Sequence, residues 1–402
     1  MKKIKILILS GDSTSNRGDR AILYGNIILL KNTFPNAEIK ALSYKPERDK
    51  KWYKIDFFNR GSIKEKIKSY LWSDVIFWGG GELIQDDTSK VKIPYWFLSI
   101  FLLTKIFRKK VIALGQGLGP VNSKLNKILT KNIVNNLSLY FSRDNYSETI
   151  LKSFGVSKPI ISSFDPAILL SKEINPNKEK LNNFLKKKGF LVSKKEKLIG
   201  IGVRRWFHQR SSWIPHKYAY KFKLRKIPGE KQFTTMKESL AHILDYLVEK
   251  YNYKIVFFPM YTPEHEADDK VSKEILGLMK SKDKGYVIEG DFNPKDFLEL
   301  ISNCSLFFGI RLHSTILSTS VGVPSLTFYY VPKGKSYFQQ LDIPENSFPI
   351  EDLLETSKIQ IDLKQIDKVI NNYPEYKKRT ELGVNKMKRR LLEDAKTIKR
   401  YL

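Results

Sequence analysis

Short, almost wholly apolar runs recur along the chain, each followed by a longer stretch of helical periodicity: "IKILIL" from Ile4, "EIKALS" from Glu38, "DVIFW" from Asp74, "VIALG" from Val111, "LSLYF" from Leu137 and "PIISS" from Pro159. A strand that is apolar at nearly every position has to be covered on both faces. Strands that alternate with helices are joined by crossovers, so the pattern predicts βαβ units and a mostly parallel sheet. Helices are expected near Asp19 to Asn32, Lys64 to Leu71, Lys124 to Asn136 and Asn145 to Phe154.

The alternation lapses over "KEINPNKEKLNNFLKKKGFLVSKKEK", which is charged with few apolar anchors. It then restarts with "LIGIGV", "KIVFFP", "YVI", "LFFG" and "SLTFYY", with helices at Lys237 to Glu249, Ala267 to Met279, Pro294 to Ser302 and His313 to Ser320. At 402 residues the chain exceeds the size at which one core keeps growing. The expected fold class is α/β, two doubly wound Rossmann-like domains facing a cleft. Domains are expected over 1–175 and 198–345, with a linker at 176–197 and a charged helical tail over 346–402 that packs near the domain junction.

A net charge of +29 implies attraction to anions without choosing among phosphorylated metabolites, acidic polymers, lipid and nucleic acid. The single cysteine, Cys304, excludes an internal disulfide, and with five histidines leaves little for a structural zinc. The start "MKKIKILILSGDSTSNRGD" has an apolar run too short for a signal peptide and reads as a first buried strand, in keeping with a cytoplasmic protein. "YWFLSIFLLTKIFRKK", Tyr95 to Lys110, has about thirteen apolar-rich positions against the roughly 20 that a spanning helix needs. It reads as a buried crossover helix, with peripheral contact at the inner face of the cytoplasmic membrane through its aromatics and basic end as the alternative.

In folds of this class chemistry collects at the carboxyl ends of strands. After the first strand, "GDSTSNRGDRAI" places Asp12, Asn16 and Asp19 where a loop opens a helix and free N–H groups can hold an anion or a hydroxyl-rich ligand. "GGGELIQDDTS" brings Gly80 and Gly81, which permit close backbone approach, with Gln85 and Asp86 after them. "GQGLGP" lacks the spacing and the acidic partner of a dinucleotide fingerprint. "SRDNYS" puts Arg143 and Asp144 at a strand end, either as donor-site residues or as a bridge to Asp165. "GIGVRRWFH" does the same for Arg204.

In "GIRLHSTILSTSVGVPSLTFYYVPKGK", Arg311 offers a planar fork for a carboxylate or phosphate, His313 can exchange a proton near neutral pH, and Lys333 arrives from the next strand. No G-x-S-x-G, H-E-x-x-H or Walker sequence occurs. "PEHEADDK" reads as an acidic first helical turn rather than a metal site, and no cofactor is implied.

Taken in order, "NRGDRAI", "GGGELIQDDTS", "GQGLGP", "SRDNYS", "DPAI" and "RLHSTILSTSVGVPSLTFYYVPK" resemble the polysaccharide pyruvyltransferase family. The resemblance implies a GT-B-like fold and transfer from phosphoenolpyruvate, as co-substrate, to sugar hydroxyls of a polymer or a lipid-linked oligosaccharide. By resemblance, the family's Arg-x-His motif falls on Arg311 and His313, its later lysine on Lys333 and its Arg-Asp motif on Arg143 and Asp144, with catalytic roles expected for Arg311, His313 and Lys333. From the strand-end reading Arg204 joins Arg143, Arg311, His313 and Lys333 as expected donor-binding residues, and Asp12, Asn16, Asp19, Gly80, Gly81, Gln85 and Asp86 are the expected acceptor-binding ones. Val331 stands where the family often has an acidic residue, and Glu82 where a small one is usual. The expected product is a pyruvate ketal or an enol ether.

The insertion "RRWFHQRSSWIPHKYAYKFKLRK", Arg204 to Lys226, interleaves bases and aromatics, as a rim for an anionic polymer or a lipid-linked acceptor would. Two other functions fit the sequence less well. One is a GT-B glycosyltransferase using a nucleotide sugar; the other is a non-catalytic polyanion-binding protein, although no nucleic-acid-binding motif occurs.

Overall fold

The structure, a computed structural model, describes residues 3–402 except 10, 12, 88, 176, 178, 194, 208–211, 215 and 223–228, with the backbone alone at 216 and 217. The chain divides into two compact units. The first comprises Met1–Leu169, Gln209–Arg225 and Met387–Leu402, the second Leu170–His208 and Lys226–Lys386.

The first unit runs β1 (Lys5–Leu9), α1 (Arg17–Thr33), β2 (Glu38–Ser43), α2 (Pro46–Tyr53), β3 (Asp56–Asn59), α3 (Ile63–Trp72), β4 (Val75–Trp78), β5 (Gly81–Ile84) and α4 (Lys92–Phe101). A π-helical turn, Leu102–Ile106, follows, and then β6 (Lys110–Leu118), α5 (Lys124–Asn135), β7 (Leu139–Ser142), α6 (Asn145–Ser153) and β8 (Ile160–Ser162). All strand pairs are parallel, in the order β3-β2-β1-β4-β6-β7-β8, with β5 paired to β6.

Alternate strand residues face opposite sides. Leu7, Leu9, Ile76, Trp78, Val111 and Ala113 meet Ile93, Trp96, Ile100, Ile133, Val134 and Leu151 in one core, so α4, α5 and α6 share a face of the sheet. Phe77, of opposite parity, meets Phe34 at the end of α1, with ring centroids 6.3 Å apart.

The second unit contains α7 (Lys180–Lys187) and β9 (Lys197–Gly202), and after the short α8 (His216–Lys221) of the first unit it resumes with α9 (Glu230–Tyr251) and β10 (Tyr253–Phe257). It continues through α10 (Asp268–Leu278), β11 (Gly285–Val287), α11 (Pro294–Ile301), β12 (Leu306–Gly309), α12 (Leu312–Ser320), β13 (Ser325–Tyr329), α13 (Pro332–Gln340), β14 (Ser347–Pro349) and α14 (Thr356–Asn371). The last helix, α15 (Tyr373–Lys396), starts in the second unit and ends in the first. The sheet order β11-β10-β9-β12-β13-β14 is again all parallel, and the strand order reverses between β9 and β12. The expected α/β class with two parallel sheets is the one observed.

Three local expectations differ from what is found. Residues expected as a loop after Gly115 continue β6 to Leu118. Gly115 adopts φ +60° at a register shift between Leu114 and Gln116, so the strand bulges and carries on instead of stopping. Helix α2 and edge strand β3 carry too few apolar residues to stand out in sequence; in α2 only Asp49 and Tyr53 are buried. The segment expected as a connection forms α7, where Leu181 and Leu185 are buried and Phe184 meets Phe292 with centroids 5.7 Å apart.

Candidate functional site

In a sheet of this order, ligands bind outside the strand ends flanking the point where the order reverses. In the second unit those ends are β9, which leads to Arg204, and β12, which leads to Arg311. Gly202 and Gly309 are register partners. A Cβ on Gly202 would lie 2.3 Å from Ser314 Oγ, and one on Gly309 2.4 Å from Thr315 Cγ2. Both positions need glycine for α12 to sit this close to the strands. Arg311, in extended conformation, is the N-cap of α12, and Ser314 Oγ donates to its carbonyl at 2.6 Å.

The Arg311 fork is held by two acids. Nε donates to Asp268 Oδ2 at 2.6 Å and Nη2 to Asp268 Oδ1 at 2.7 Å, while Nη2 also meets Glu266 Oε2 at 2.5 Å. Asp268, fully buried, accepts the Tyr261 backbone N–H at 2.9 Å as well. Glu266 bridges to Arg204, whose Nη2 donates to its two oxygens at 3.2 and 3.1 Å. Burial opposes the charge on Arg311, but Asp268 and Glu266 outweigh it and its pKa is raised. The same balance, with Glu266 as the main partner, raises that of Arg204.

Arg204 also stacks on Tyr330, 4.5 Å from the ring centroid, and Trp206 meets the same ring at 4.3 Å. Lys333 Nζ stands 5.8 Å from Tyr330 in the first turn of α13. His313 is half-buried in the first turn of α12. Arg204 and Arg311 are thus joined through one glutamate, and Arg204 and Lys333 flank one tyrosine. Glu266, Asp268 and Tyr330 are not singled out as site residues by the sequence, and Trp206 only as one aromatic of the insertion. Of these, "HEADD" gave a signal, and its acids serve both as a helix start and as anchors for the arginines. Val331 is the N-cap of α13 and makes no side-chain cap bond.

Arg143 lies in the first unit, in a separate cluster. Buried after β7, its Nη1 donates to Asp165 Oδ2 and its Nη2 to Glu82 Oε1, each at 3.1 Å, with Asp144 Oδ2 3.7 Å from Nε. Burial works against its charge, the three carboxylates more than offset this, and its pKa is raised. A Cβ on Gly117 would lie 2.4 Å from Arg143 Nε, so the guanidinium lies against bare backbone. Gln85, with its amide set to satisfy both neighbours, donates to Glu82 Oε2 at 3.1 Å and accepts from Lys92 Nζ at 3.0 Å.

The reversal point of the first sheet lies between β1 and β4. Asn16 caps α1, accepting from Gly18 N at 2.9 Å and Asp19 N at 3.3 Å. The Asp19 carboxylate lies between the two strand ends, with Oδ2 2.8 Å from where a Cβ would stand on Gly11 and Oδ1 3.1 Å from that on Gly81. Gly80, at φ +102°, would drive a Cβ to within 2.4 Å of Ile22.

Asp12 lies outside the described residues. Asp86 is fully buried with its oxygens turned to the start of α5, accepting from Asn122 N and Ser123 N, each at 2.9 Å, and from Asn126 Nδ2 at 3.0 Å. Two further residues that sequence reading passes over, Asn26 and Gln116, are buried here with amide atoms unbonded among the described residues. Groups of this kind are ordinarily satisfied by water or a ligand hydroxyl.

Comparison with known proteins bears on both units. The family model described as polysaccharide pyruvyl transferase matches residues 16–331. The amylovoran biosynthesis protein AmsJ of Erwinia amylovora is 21% identical over 422 residues, spanning 95% of each chain. Among solved structures, UDP-GlcNAc 2-epimerase from Neisseria meningitidis bound to UDP-GlcNAc is similar in fold, with a TM-score of 0.59, 13% identity and coverage of 100% of this chain and 99% of that one. The Anabaena protein HepE in complex with UDP and glucose matches with a TM-score of 0.60 and 13% identity over 99% and 98%. The fold is thus α/β with two parallel sheets, similar to GT-B-fold epimerases and glycosyltransferases.

Proposed function

The chain belongs to the polysaccharide pyruvyl transferase family, which makes it a transferase acting on a polysaccharide acceptor, and from that premise we propose that it transfers pyruvate from phosphoenolpyruvate to two sugar hydroxyls, forming a ketal and releasing phosphate. The acceptor is a cell-surface polysaccharide or its lipid-linked oligosaccharide precursor, met at the inner face of the cytoplasmic membrane.

The observation that carries the donor assignment is the Arg204–Glu266–Arg311–Asp268 cluster at the reversal point of the second sheet. Two guanidinium groups are fixed there by two carboxylates. The anchoring pairs engage Nε and Nη2 of Arg311 and leave Nη1 outside them. The cluster is electrically balanced, so the net attraction for a trianionic donor comes from Lys333 and from the first-turn N–H groups of α12 and α13.

Protonation of the methylene carbon makes the central carbon electron-poor, and one sugar hydroxyl adds to it. Phosphate then departs with the C–O bond electrons and a second hydroxyl closes the ketal. The two hydroxyl protons end on the methyl group and on phosphate. His313 delivers the proton to the methylene carbon or to the leaving phosphate. On the acceptor side Asn16, Asp19, Gly80, Gly81 and Gln85 line the hydroxyl-binding region, with Asp12 or Asp86 as the base. The bonds made by Asp86 fit it better as the cap that fixes α5 behind that region. Arg143, held in the first unit by Glu82, Asp144 and Asp165, is left out of this donor assignment.

Calorimetry with wild type and Arg311→Ala at moderate salt tests the donor, with phosphate, pyruvate and UDP-sugars as comparators. Saturable preference for phosphoenolpyruvate that is lost in the variant supports the reading. The fold neighbours that hold UDP or UDP-GlcNAc give a second reading, a nucleotide-sugar glycosyltransferase. Tighter binding of a UDP-sugar would move the protein to it.

A further inference from the structure

The helices that cover one face of the first sheet bury one side and show apolar residues on the other. On α3, Ile63 (73% exposed), Ile67 and Leu71 (65% exposed) recur every fourth residue, which puts them in one outward stripe. On α4 and its π turn, Trp96, Ile100 and Leu103 are buried while Tyr95, Leu98, Phe101 and Ile106 (64% exposed) face outward. On α5, Leu125 and Ile128 do the same.

These helices are neighbours. Tyr70 and Trp72 of α3 pack against the same core as α4 and α5. Tyr70 meets Phe107 with centroids 5.4 Å apart, and Lys109 Nζ donates to the Ser73 carbonyl at 2.6 Å. Residues of the first unit around α8 extend the surface. The Lys90 N–H, just before α4, donates to the Ser212 carbonyl at 2.8 Å, and Trp213, Ile214, Tyr218 and Phe222 are exposed beyond it.

The charge on these helices is nearly all of one sign. Lys64, Lys66 and Lys68 lie on α3, Lys105 in the π turn, and Lys124, Lys127 and Lys131 on α5, whereas the only acid on α3, α4, the π turn or α5 is Glu65, paired with Lys68 at 3.8 Å. A soluble surface seldom gathers so many apolar side chains without a partner. Covering this face with a second copy would set lysine against lysine. Aromatic and aliphatic side chains interleaved with lysines, whose stems can lie along apolar surface while the ammonium reaches out, are the composition of a helix seated in a lipid interface. None of the described helices is long and apolar enough to cross a membrane.

We propose that α3, α4 with its π turn, α5 and the adjoining Trp213, Ile214 and α8 form a docking face that seats the first unit on an anionic phospholipid bilayer. This deepens the reading in which the acceptor is lipid-linked. A vesicle assay needs neither phosphoenolpyruvate nor sugar, so the two can fail separately.

The test is co-sedimentation of the full chain with vesicles of phosphatidylglycerol and phosphatidylcholine at about 0.15 M salt, where long-range attraction is largely screened. Three variants are compared. Ile67→Ser/Leu98→Ser/Ile106→Ser alters no charge and touches only exposed side chains, so its thermal midpoint should match wild type. Lys64→Gln/Lys68→Gln/Lys127→Gln removes charge from the face, and Lys231→Gln/Lys270→Gln/Lys378→Gln removes as much from the second unit. The proposal expects wild type to bind, the first two variants to lose about tenfold or more in partitioning, and the third to bind like wild type.

Three outcomes overturn it: no binding by wild type, equal losses in both lysine variants with the serine variant unaffected, or a wild-type dimer in ultracentrifugation that the serine variant abolishes without any vesicle binding.

Discussion

Arg311 shows how much of a site one residue can reveal. Its place after an apolar strand marks it from sequence, and the structure adds that its direction is set by Asp268 and Glu266. Removing one partner of a buried ion pair leaves the other charge unmatched. Asp268→Asn is therefore expected to cost about 3–5 kcal/mol, read as a lower urea midpoint for the second unit, and to weaken phosphoenolpyruvate binding as Arg311→Ala does. Unchanged binding would show that the fork needs no anchor. His313→Ala should lower turnover by about 10²–10⁴ while the calorimetric affinity for phosphoenolpyruvate stays near wild type; an affinity loss of the same size would make His313 a binding residue instead. Arg311, His313 and Lys333 were legible as candidates because strand ends are. Glu266 and Asp268 were not, because they reach Arg311 from 45 and 43 residues away.

Among the elements, α14 carries a buried acid with a consequence for pH. Burial, then the nearby Asp352, push the Asp362 carboxyl up to about 7, and Lys358 pulls the other way. Its Oδ2 is buried without a hydrogen bond among the described residues. The folded state therefore holds this proton more tightly than the unfolded chain does. The resulting stability is fully present below the unfolded carboxylate range and is lost as pH rises through about 7. Thermal unfolding of the second unit should shift downward between pH 5 and 8. Asp362→Asn, which cannot ionise, should flatten that dependence; an unchanged slope would assign it to other groups. Nothing in "KIQIDLKQ" distinguishes this aspartate, since helical spacing permits either face and only packing shows which is covered. Strand β6 teaches the same lesson, because the bulge at Gly115 depends on its partner strand.

At the scale of the whole molecule, sequence order and structural unit part company. The first unit is completed by residues from the chain's end: Leu391, Ala395 and Ile398 are fully buried, and Asp394 accepts a hydrogen bond from Ser163 Oγ at 2.8 Å. Each buried Leu or Ile is worth about 1.5–3 kcal/mol. Deleting Met387–Leu402 should therefore lower the first unit's calorimetric transition by several degrees and leave the second unit's in place. A single unshifted transition would show that these residues are dispensable.

What the sequence by itself determined was the class, an α/β fold with two parallel sheets, and the family. Apolar periodicity and strand-end residues are local properties, written over a few consecutive positions. The tertiary structure alone decided which carboxylates anchor Arg204, Arg311 and Arg143, that the Asn26 and Gln116 amides are buried, and which apolar residues of α3, α4 and α5 face outward. Ion pairing and burial depend on groups that are distant in sequence, and only the folded backbone brings those together.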